Sequence, residues 1–316
     1  MPTLSQLEYI IAVDKFRHFG RASKACHVSQ PSLSMQLMKA EEELGVVIFD
    51  RSKKPILPTE RGLAVIEQAR VVLREAERLK HISQQERGEL RGDFRLGVIP
   101  TLAPYLIPLF LDAWANAYPK VKLKIDEMKT TDIVEHLYDD RIDAGLLVTP
   151  LHEPSLHERL LFHEPFYLYV SDQHPLYRRE RIRDTDLDGS DIWLLEEGHC
   201  FRTQILKVCS LRSKHRVYRN IEFESGNLET LKQLVNHNQG YTLLPHFCVA
   251  LIHDPQEKRR VKPFYPPTPT RAVSLVHRRS QLKEDIVTAL EKSIRESLPE
   301  SVSALPPKKI EVVDIR

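Results

Sequence analysis

Phe19-Gly20-Arg21-Ala22-Ser23-Lys24-Ala25-Cys26-His27-Val28-Ser29-Gln30-Pro31-Ser32-Leu33-Ser34 reads as two short helices about a tight turn. The first is expected from Gly20 to Cys26, the turn falls at His27-Val28, and Pro31 suits the first position of the next helix. That helix should run to Leu44, where Gly45 stops it. Its apolar face takes Leu33, Leu37, Ala40 and Leu44, leaving Ser32, Ser34, Gln36 and Lys39 outward. Upstream, Leu4, Leu7, Ile10, Ile11 and Val13 form a helical stripe up to about Asp14. Two helices with small hydroxyls and amides at the start of the second make a helix-turn-helix. Small polar residues let that helix end enter a major groove, where Gln pairs bidentately with adenine and Ser reaches base edges or phosphate.

The charge pattern agrees. From Lys15 through Lys39 there are five Lys/Arg and no Asp or Glu. Such a window suits phosphates, although a solvated face has the same composition. Next come Ile48-Phe49-Asp50-Arg51, Ser52-Lys53-Lys54-Pro55 and Ile56-Leu57-Pro58-Thr59, two apolar pieces around a basic turn, which read as a wing. The candidate DNA set is therefore Ser29, Gln30, Pro31, Ser32, Ser34, Gln36 and Lys39 on the helix, with Arg51, Lys53, Lys54 and Thr59 along the backbone. A small helical domain that packs against a protein is the competing reading. From Glu60 a long helix is expected, apolar at Leu63, Ile66, Ala69, Leu73, Ala76, Leu79 and Ile82, with Arg70, Arg74, Glu77 and Arg78 opposite. With no nearby domain to bury it, that stripe points to a second copy of the chain. Paired DNA half-sites would match such a dimer. The helix should fail near Arg87-Gly88, and Gly92 marks a boundary.

The whole chain has 316 residues, 41% hydrophobic and 28% charged, with a net charge of +2. That length allows two or three domains with cores of their own. The near-neutral balance gives no general reason for a nucleic-acid partner, so the local window has to carry that reading. No apolar signal-like region follows the N-terminus, and no run approaches the roughly 20 residues needed to cross a bilayer. A cytoplasmic protein, with no membrane partner, is expected. Structural disulfides are disfavoured there. The four cysteines, Cys26, Cys200, Cys209 and Cys248, do not form a zinc pattern, so no metal or cofactor is expected. Cys26 and Cys248 read as small buried hydrophobes.

Beyond Gly92 strands alternate with helices. Phe94–Ile99, Val121–Ile125 and Ala144–Val148 are strand candidates, with helices at Pro104–Ala117 and Thr131–Asp139. The alternation returns with Phe166–Val170, Trp193–Leu195, Cys200–Val208, Val217–Phe223, Leu228–Asn236 and Tyr241–Leu244. This is an α/β arrangement in two lobes. Thr101 and Thr130 stand past the ends of strands, where ligands bind in such sheets, though each also suits a helix cap or turn.

Leu194-Leu195-Glu196-Glu197-Gly198-His199-Cys200-Phe201-Arg202-Thr203-Gln204, with Cys209 to follow, carries the chemistry. Cys200 should open a helix, where unpaired N–H groups favour a thiolate. His199 and Arg202 should lower its pKa further. Two buried cysteines on one helix are the alternative. In a continuous helix, nine residues rise about 13.5 Å, whereas a disulfide needs Cα atoms within about 7 Å. If these cysteines bond, the helix must be dismantled, and oxidation becomes a switch. Peroxide takes a thiolate to sulfenic acid, which a second thiol condenses to a disulfide.

The chain resembles the LysR-type transcriptional regulators, and within them the hydrogen-peroxide sensors, over nearly its whole length. Phe19–Ser34 is similar to the family's helix-turn-helix. Phe49-Asp50-Arg51 and Leu57-Pro58-Thr59-Glu60-Arg61-Gly62 are similar to its wing and the start of its linker helix. Gly198-His199-Cys200-Phe201-Arg202 with Cys209 resembles the peroxide sensors specifically, as does Ile99-Pro100-Thr101-Leu102-Ala103-Pro104-Tyr105-Leu106-Ile107-Pro108. The resemblance implies a winged helix-turn-helix at 1–60, a linker and dimerisation helix at 61–89, and a regulatory domain of periplasmic-binding-protein type at 90–298. Lobe I would take about 90–164 and 269–298, lobe II about 165–268, and an extension 299–316. It further implies that Cys200 is the peroxidatic cysteine and Cys209 the resolving one. Thr101, Thr130, His199 and Arg271 would hold peroxide and polarise its O–O bond. Arg271 precedes Ala272-Val273-Ser274-Leu275-Val276, a strand expected to return to lobe I. Thr203 stands where well-known members carry an aspartate, and a hydroxyl cannot serve as a base there.

Implied partners are double-stranded promoter DNA, a dimer of dimers, RNA polymerase, hydrogen peroxide as signal, and a glutaredoxin or thioredoxin system as reductant. A metabolite-responsive regulator of the same family with inert cysteines, and a thiol peroxidase, are the rival functions. The tail after Leu298, with Pro299, Pro306 and Pro307, reads as flexible or strapped on a surface and takes no role. For the DNA module, Gln30→Ala should reduce discrimination between operator and random DNA by roughly 1–3 kcal/mol. Lys53→Ala should weaken all sequences alike and lower the salt slope by about one unit. Binding titrations on both DNAs at several salt concentrations check this; equal losses on both for the Gln30 change refute its role as a base reader.

Overall fold

A computed structural model describes residues 1–84, 89–187, 191–209, 217–218, 221–222, 225–279, 283–303 and 310–315. Its contacts divide it into two units, Met1–Glu89 and Leu90–Arg316.

In the first unit each of the first three helices opens on a side chain that satisfies orphan N–H groups. Thr3 and Gln6 form a reciprocal capping box on α1 (Leu4–Phe16). The His18 ring accepts from Gly20 and Arg21 at the start of α2 (Phe19–Ala25). The Ser29 hydroxyl accepts from Ser32 at the start of α3 (Gln30–Leu44), which Gly45 ends in the left-handed region at φ 65°. β1 (Phe49–Asp50) and β2 (Leu57–Pro58) pair antiparallel around the basic turn, and α4 (Glu60–Gln84) follows. Gly62 in its first turn is obligatory, because a Cβ there would stand 2.0 Å from the Ile48 carbonyl oxygen.

The apolar stripe of α4 divides differently from its reading as a single seam. Ile66 and Ala69 are buried, and Leu73 packs beside them, in the unit's own core with Ile10, Val13 and Leu37. Asp14 of α1 holds Arg70 at 2.7 Å, so Arg70 is tied inward. The start of α4 thus closes the first unit's own core. What stays in solvent is Leu63, Val71, Val72 and Leu79, the last 71% exposed. Val72 and Leu79 are seven residues apart, hence on one side of the helix, rotated away from the Ile66–Ala69–Leu73 strip. The side chains of Arg74, Glu77, Arg78 and Ile82, and the expected break at Arg87-Gly88, lie outside the described residues. Leu44, expected inward, is exposed in the last turn of α3.

The second unit begins with β3 (Gly92–Val98), α5 (Ala103–Ala117), β4 (Val121–Glu127), α6 (Thr130–Tyr138) and β5 (Ala144–Thr149). β3 lies parallel to both β4 and β5. Then come β6 (Leu156–Val170), α7 (Cys200–Val208), β7 (Val217–Tyr218), β8 (Ile221–Glu222), α8 (Leu228–His237) and β9 (Tyr241–Pro245). The chain closes with α9 (His246–Ala250), α10 (Pro255–Arg260), β10 (Val261–Pro263), β11 (Thr268–Arg278), α11 (Glu284–Glu296), α12 (Glu300–Ser303) and β12 (Ile310–Val312). The sheet order is β10-β6-β11-β5-β3-β4, with β9 on β6 and β12 on β11.

β6 serves both lobes. From Leu156 to Pro165 it pairs with β11, and from Phe166 to Val170 with β9. β11 returns to lobe I beside β5, antiparallel. Trp193–Leu195, expected as a strand, makes no ladder: single bridges at Ile192–Tyr241 and Leu195–Ser225 flank a buried Trp193. Val217–Phe223 is two short strands in a hairpin, and Phe223 lies outside the described residues.

The two faces of α4 can be separated by substitution. Leu79→Asp should leave the melting of the DNA-binding unit unchanged and weaken self-association. Leu73→Asp should instead destabilise the unit itself by roughly 2–5 kcal/mol, the usual cost of breaking a core position. Sedimentation velocity and thermal unfolding on both variants read the difference; an unchanged oligomer for Leu79→Asp rules out that face as a seam.

Candidate functional site

Arg271 of β11 and Glu164 of β6 stand opposite each other in the ladder, and both are 0% exposed. Arg271 Nε and Nη2 lie 2.8 and 2.7 Å from Glu164 Oε2. Its Nη1 donates to Thr101 Oγ1 at 2.9 Å and its Nη2 to the Thr101 carbonyl at 3.2 Å. The other carboxylate oxygen, Glu164 Oε1, accepts the Phe247 N–H at the first turn of α9. The guanidinium lies 5.3 Å from the Phe201 ring centre, and Phe201 meets Phe166 edge-on. The buried cation is therefore held on its carboxylate side, its Thr101 side and one ring face. Glu164 escaped the sequence reading. A lone carboxylate among Leu160-Leu161-Phe162 and Phe166, in a run otherwise suited to a strand core, is the signal that would have found it, because a buried carboxylate needs a cation.

Cys200 is the first residue of α7, after Gly198 at φ +89° and His199 at the cap. Burial pushes its thiol above the ordinary value. The Thr130 hydroxyl, the Arg271 charge and the N–H groups of Phe201 and Cys200 pull the other way and lose. The expected depressed pKa is thus corrected, and the reason lies in the expected helpers. Burial and the Lys129 ammonium keep His199 below its usual value, hence neutral. Arg202 Nη1 donates to the Leu195 carbonyl at 2.6 Å. Neither His199 nor Arg202 is among the groups that act on the thiol; the cation that does is Arg271. Thr130 opens α6; its buried hydroxyl reaches the sulfur yet makes no hydrogen bond of acceptable geometry. Thr101 uses a lone pair on Arg271, leaving its own O–H available to donate.

His199 Nε2 is buried 3.5 Å from Glu196 Oε1 without forming a hydrogen bond. Glu196 pairs with Lys129 at 2.9 Å, and Lys129 also donates to the Glu197 carbonyl. Lys129, adjacent to Thr130, had no sequence signal of its own. Cys209 caps the far end of α7; burial, helped by Asp184, pushes its thiol to about 12. α7 is continuous, so the two sulfurs sit at opposite ends of a helix about 13.5 Å long. All four cysteines are free thiols.

On the DNA-binding unit the candidates fall into two groups. Gln30, Pro31, Lys39, Lys53 and Lys54 are exposed, and Ser34 is half-buried. The others have structural work. Ser29 caps α3 through Ser32, and Gln36 accepts from Gln6 of α1 at 3.0 Å. Arg51 pairs with Glu41 at 2.7 Å and lies over the Phe19 ring. Thr59 donates to the Val47 carbonyl and accepts from Gly62.

A family model described as the bacterial regulatory helix-turn-helix protein of the lysR family matches residues 4–63, and one described as the LysR substrate binding domain matches 87–299. A hydrogen peroxide-inducible genes activator of Dickeya chrysanthemi is 36% identical over 93% of this chain and 95% of its own. The Escherichia coli DNA-binding transcriptional dual regulator OxyR is 35% identical over 87% and 89%. Among solved structures, a full-length cysteine-to-aspartate OxyR from Pseudomonas aeruginosa has a TM-score of 0.77 at 34% identity, covering 93% of this chain and 98% of that one. Among the described residues no helix is long and apolar enough to cross a membrane.

The raised thiol pKa has a sign that can be measured. Below that pKa the Cys200 thiolate fraction, and with it the rate of alkylation, should rise about tenfold per pH unit. No plateau should appear between pH 6 and 8.5. Stopped-flow or mass-spectrometric alkylation of the reduced protein reads it; a plateau below neutral pH refutes the protonated resting state.

Proposed function

This chain belongs to the LysR family of bacterial helix-turn-helix regulators, and on that premise we propose that it is a DNA-binding transcription factor whose activity is set by hydrogen peroxide through Cys200 and Cys209. The observation that carries the proposal is α7 itself: one thiol at its first residue against Arg271 and Thr130, the other at its last cap. The protein is a regulator rather than an enzyme, and its thiol chemistry is stoichiometric.

The reaction balances as follows. Peroxide enters beside Cys200, where the Thr101 and Thr130 hydroxyls hold its oxygens by hydrogen bonds. The Cys200 thiol loses its proton, and the thiolate attacks one oxygen. An S–O bond forms as O–O breaks, and the departing hydroxide takes up a proton as water. Arg271 supplies fixed positive charge for that leaving oxygen, and neutral His199 is able to accept or pass a proton. The sulfur, oxidised by two electrons, is now a sulfenic acid. Cys209 then attacks it as thiolate, S–S forms, and a second water leaves. Both steps need deprotonation of a buried thiol.

Because the disulfide and the helix exclude each other, α7 must refold, which repacks the lobes. Promoter DNA would be read by Gln30 and Ser34, with Lys39, Lys53 and Lys54 on phosphates. Pairing through the exposed face of α4, a dimer of dimers, contact with RNA polymerase and reduction by a glutaredoxin or thioredoxin system complete the proposal.

The test is an asymmetry. Cys200→Ser should leave a folded, DNA-binding protein that peroxide cannot convert. Cys209→Ser should still consume one peroxide but stop at sulfenic or sulfinic acid, with the reduced-form footprint largely kept. Mass spectrometry paired with promoter footprinting decides. Absence of a Cys200–Cys209 disulfide in the wild type, or its presence with an unchanged footprint, would falsify the mechanism.

A further inference from the structure

The segment beyond Pro299 lies past the end of the regulatory-domain match, and the mechanism above makes no use of it. β12 nevertheless adds a parallel strand to β11, with Ile310, Glu311 and Val312 opposite Thr268, Pro269 and Thr270. The next residue extends the contact: the Val313 N–H donates to the Thr270 carbonyl at 2.8 Å. Val313 is buried, and Ile315 packs against the core of the regulatory unit. The Val313 carbonyl in turn accepts a hydrogen bond from Gln204 Nε2 at 2.6 Å. Gln204 is fully buried in α7, between Cys200 and Cys209. A single tail residue is thus bonded by its N–H to the strand residue before Arg271, and by its carbonyl to the helix that carries Cys200.

Apolar contact alone would be insensitive to the state of α7. This contact is not, because it is directional. A buried carbonyl must be paired, and here its donor is a side chain whose position depends on α7 being helical. The other end of the same amide, Gln204 Oε1, has no hydrogen-bond partner among the described residues. Burying a glutamine in that way is unfavourable, and the Val313 carbonyl is what offsets it.

We infer that β12 is a redox-linked strap, which holds α7 in its helical, reduced form and is released when α7 is dismantled. The inference rests on the disulfide reading above. A segment that docks only on the helical form favours that form by its own docking free energy. Removing it must therefore ease oxidation, and oxidation must loosen it, since the coupling is reciprocal.

Amide exchange of the reduced protein in dithiothreitol tests the clamp without any peroxide. In a chain that stops after residue 309, α7 should exchange about three- to tenfold faster than in the full chain, the worth of one buried hydrogen bond. Gln204→Leu, which keeps the tail and a good helix former, should show the same direction. After peroxide, the amides of Ile310–Ile315 in the full chain should lose protection. The disulfide of the shortened chain should equilibrate with dithiothreitol several-fold further towards the oxidised form. Unchanged α7 exchange in both variants overturns the strap whatever peroxide does. Faster exchange with no disulfide after peroxide overturns the disulfide reading and the redox linkage together. A disulfide that forms with the tail still protected overturns the linkage alone.

Discussion

The regulatory unit depends on one buried ion pair. Arg271 and Glu164 are both sealed from solvent, where each charge alone would cost several kcal/mol in lost hydration. Their attraction offsets that cost because further hydrogen bonds hold both groups. Thr101 takes two guanidinium bonds, the Phe247 N–H takes the second carboxylate oxygen, and the Phe201 ring covers the guanidinium face. The pair and its three partners belong to five different elements or connections. Loss of either charge would leave the other buried and unpaired, at about 3–5 kcal/mol. The pair therefore acts as a fixed point on which β6, β11, α7, α9 and the loop after β3 converge.

That same arrangement sets the state of the reactive thiol. Burial outweighs the Arg271 charge and the Thr130 hydroxyl at Cys200, and the thiol is held above its ordinary value. A protonated, recessed thiol reacts slowly with general electrophiles. A thiolate formed there is more nucleophilic than one of low pKa. The Thr130 hydroxyl and the Arg271 charge are the side-chain groups that act on that thiol against its burial.

In the DNA-binding unit the helix-turn-helix was legible because its signals are local. Caps, a turn, Pro31 and Gly45 lie within a few residues of the backbone groups they serve. The assignment of polar side chains was less so. Gln36, Arg51 and Thr59 look like DNA contacts by type and place, but their partners Gln6, Glu41 and Val47 are brought by other elements. The stripe of α4 reads as one face, yet part of it closes a core that only the fold supplies.

The sequence by itself determined the helix-turn-helix, most of the strand–helix alternation between Gly92 and Leu244, the family, and the chemical pair Cys200 and Cys209 at nine-residue spacing. These follow from periodicity, caps and residue identity, which neighbouring residues settle. Only the tertiary structure decided that Glu164 anchors Arg271, that His199 is neutral, that Arg202 serves a carbonyl, and that Val313 of the tail meets Gln204. Each is a contest between burial and the partners at hand, and two of those partners are far away in the chain: Glu164 and Arg271 are separated by 107 residues, Gln204 and Val313 by 109. A charge or hydrogen bond takes its strength from the groups that displace water around it, and those groups are chosen by the fold.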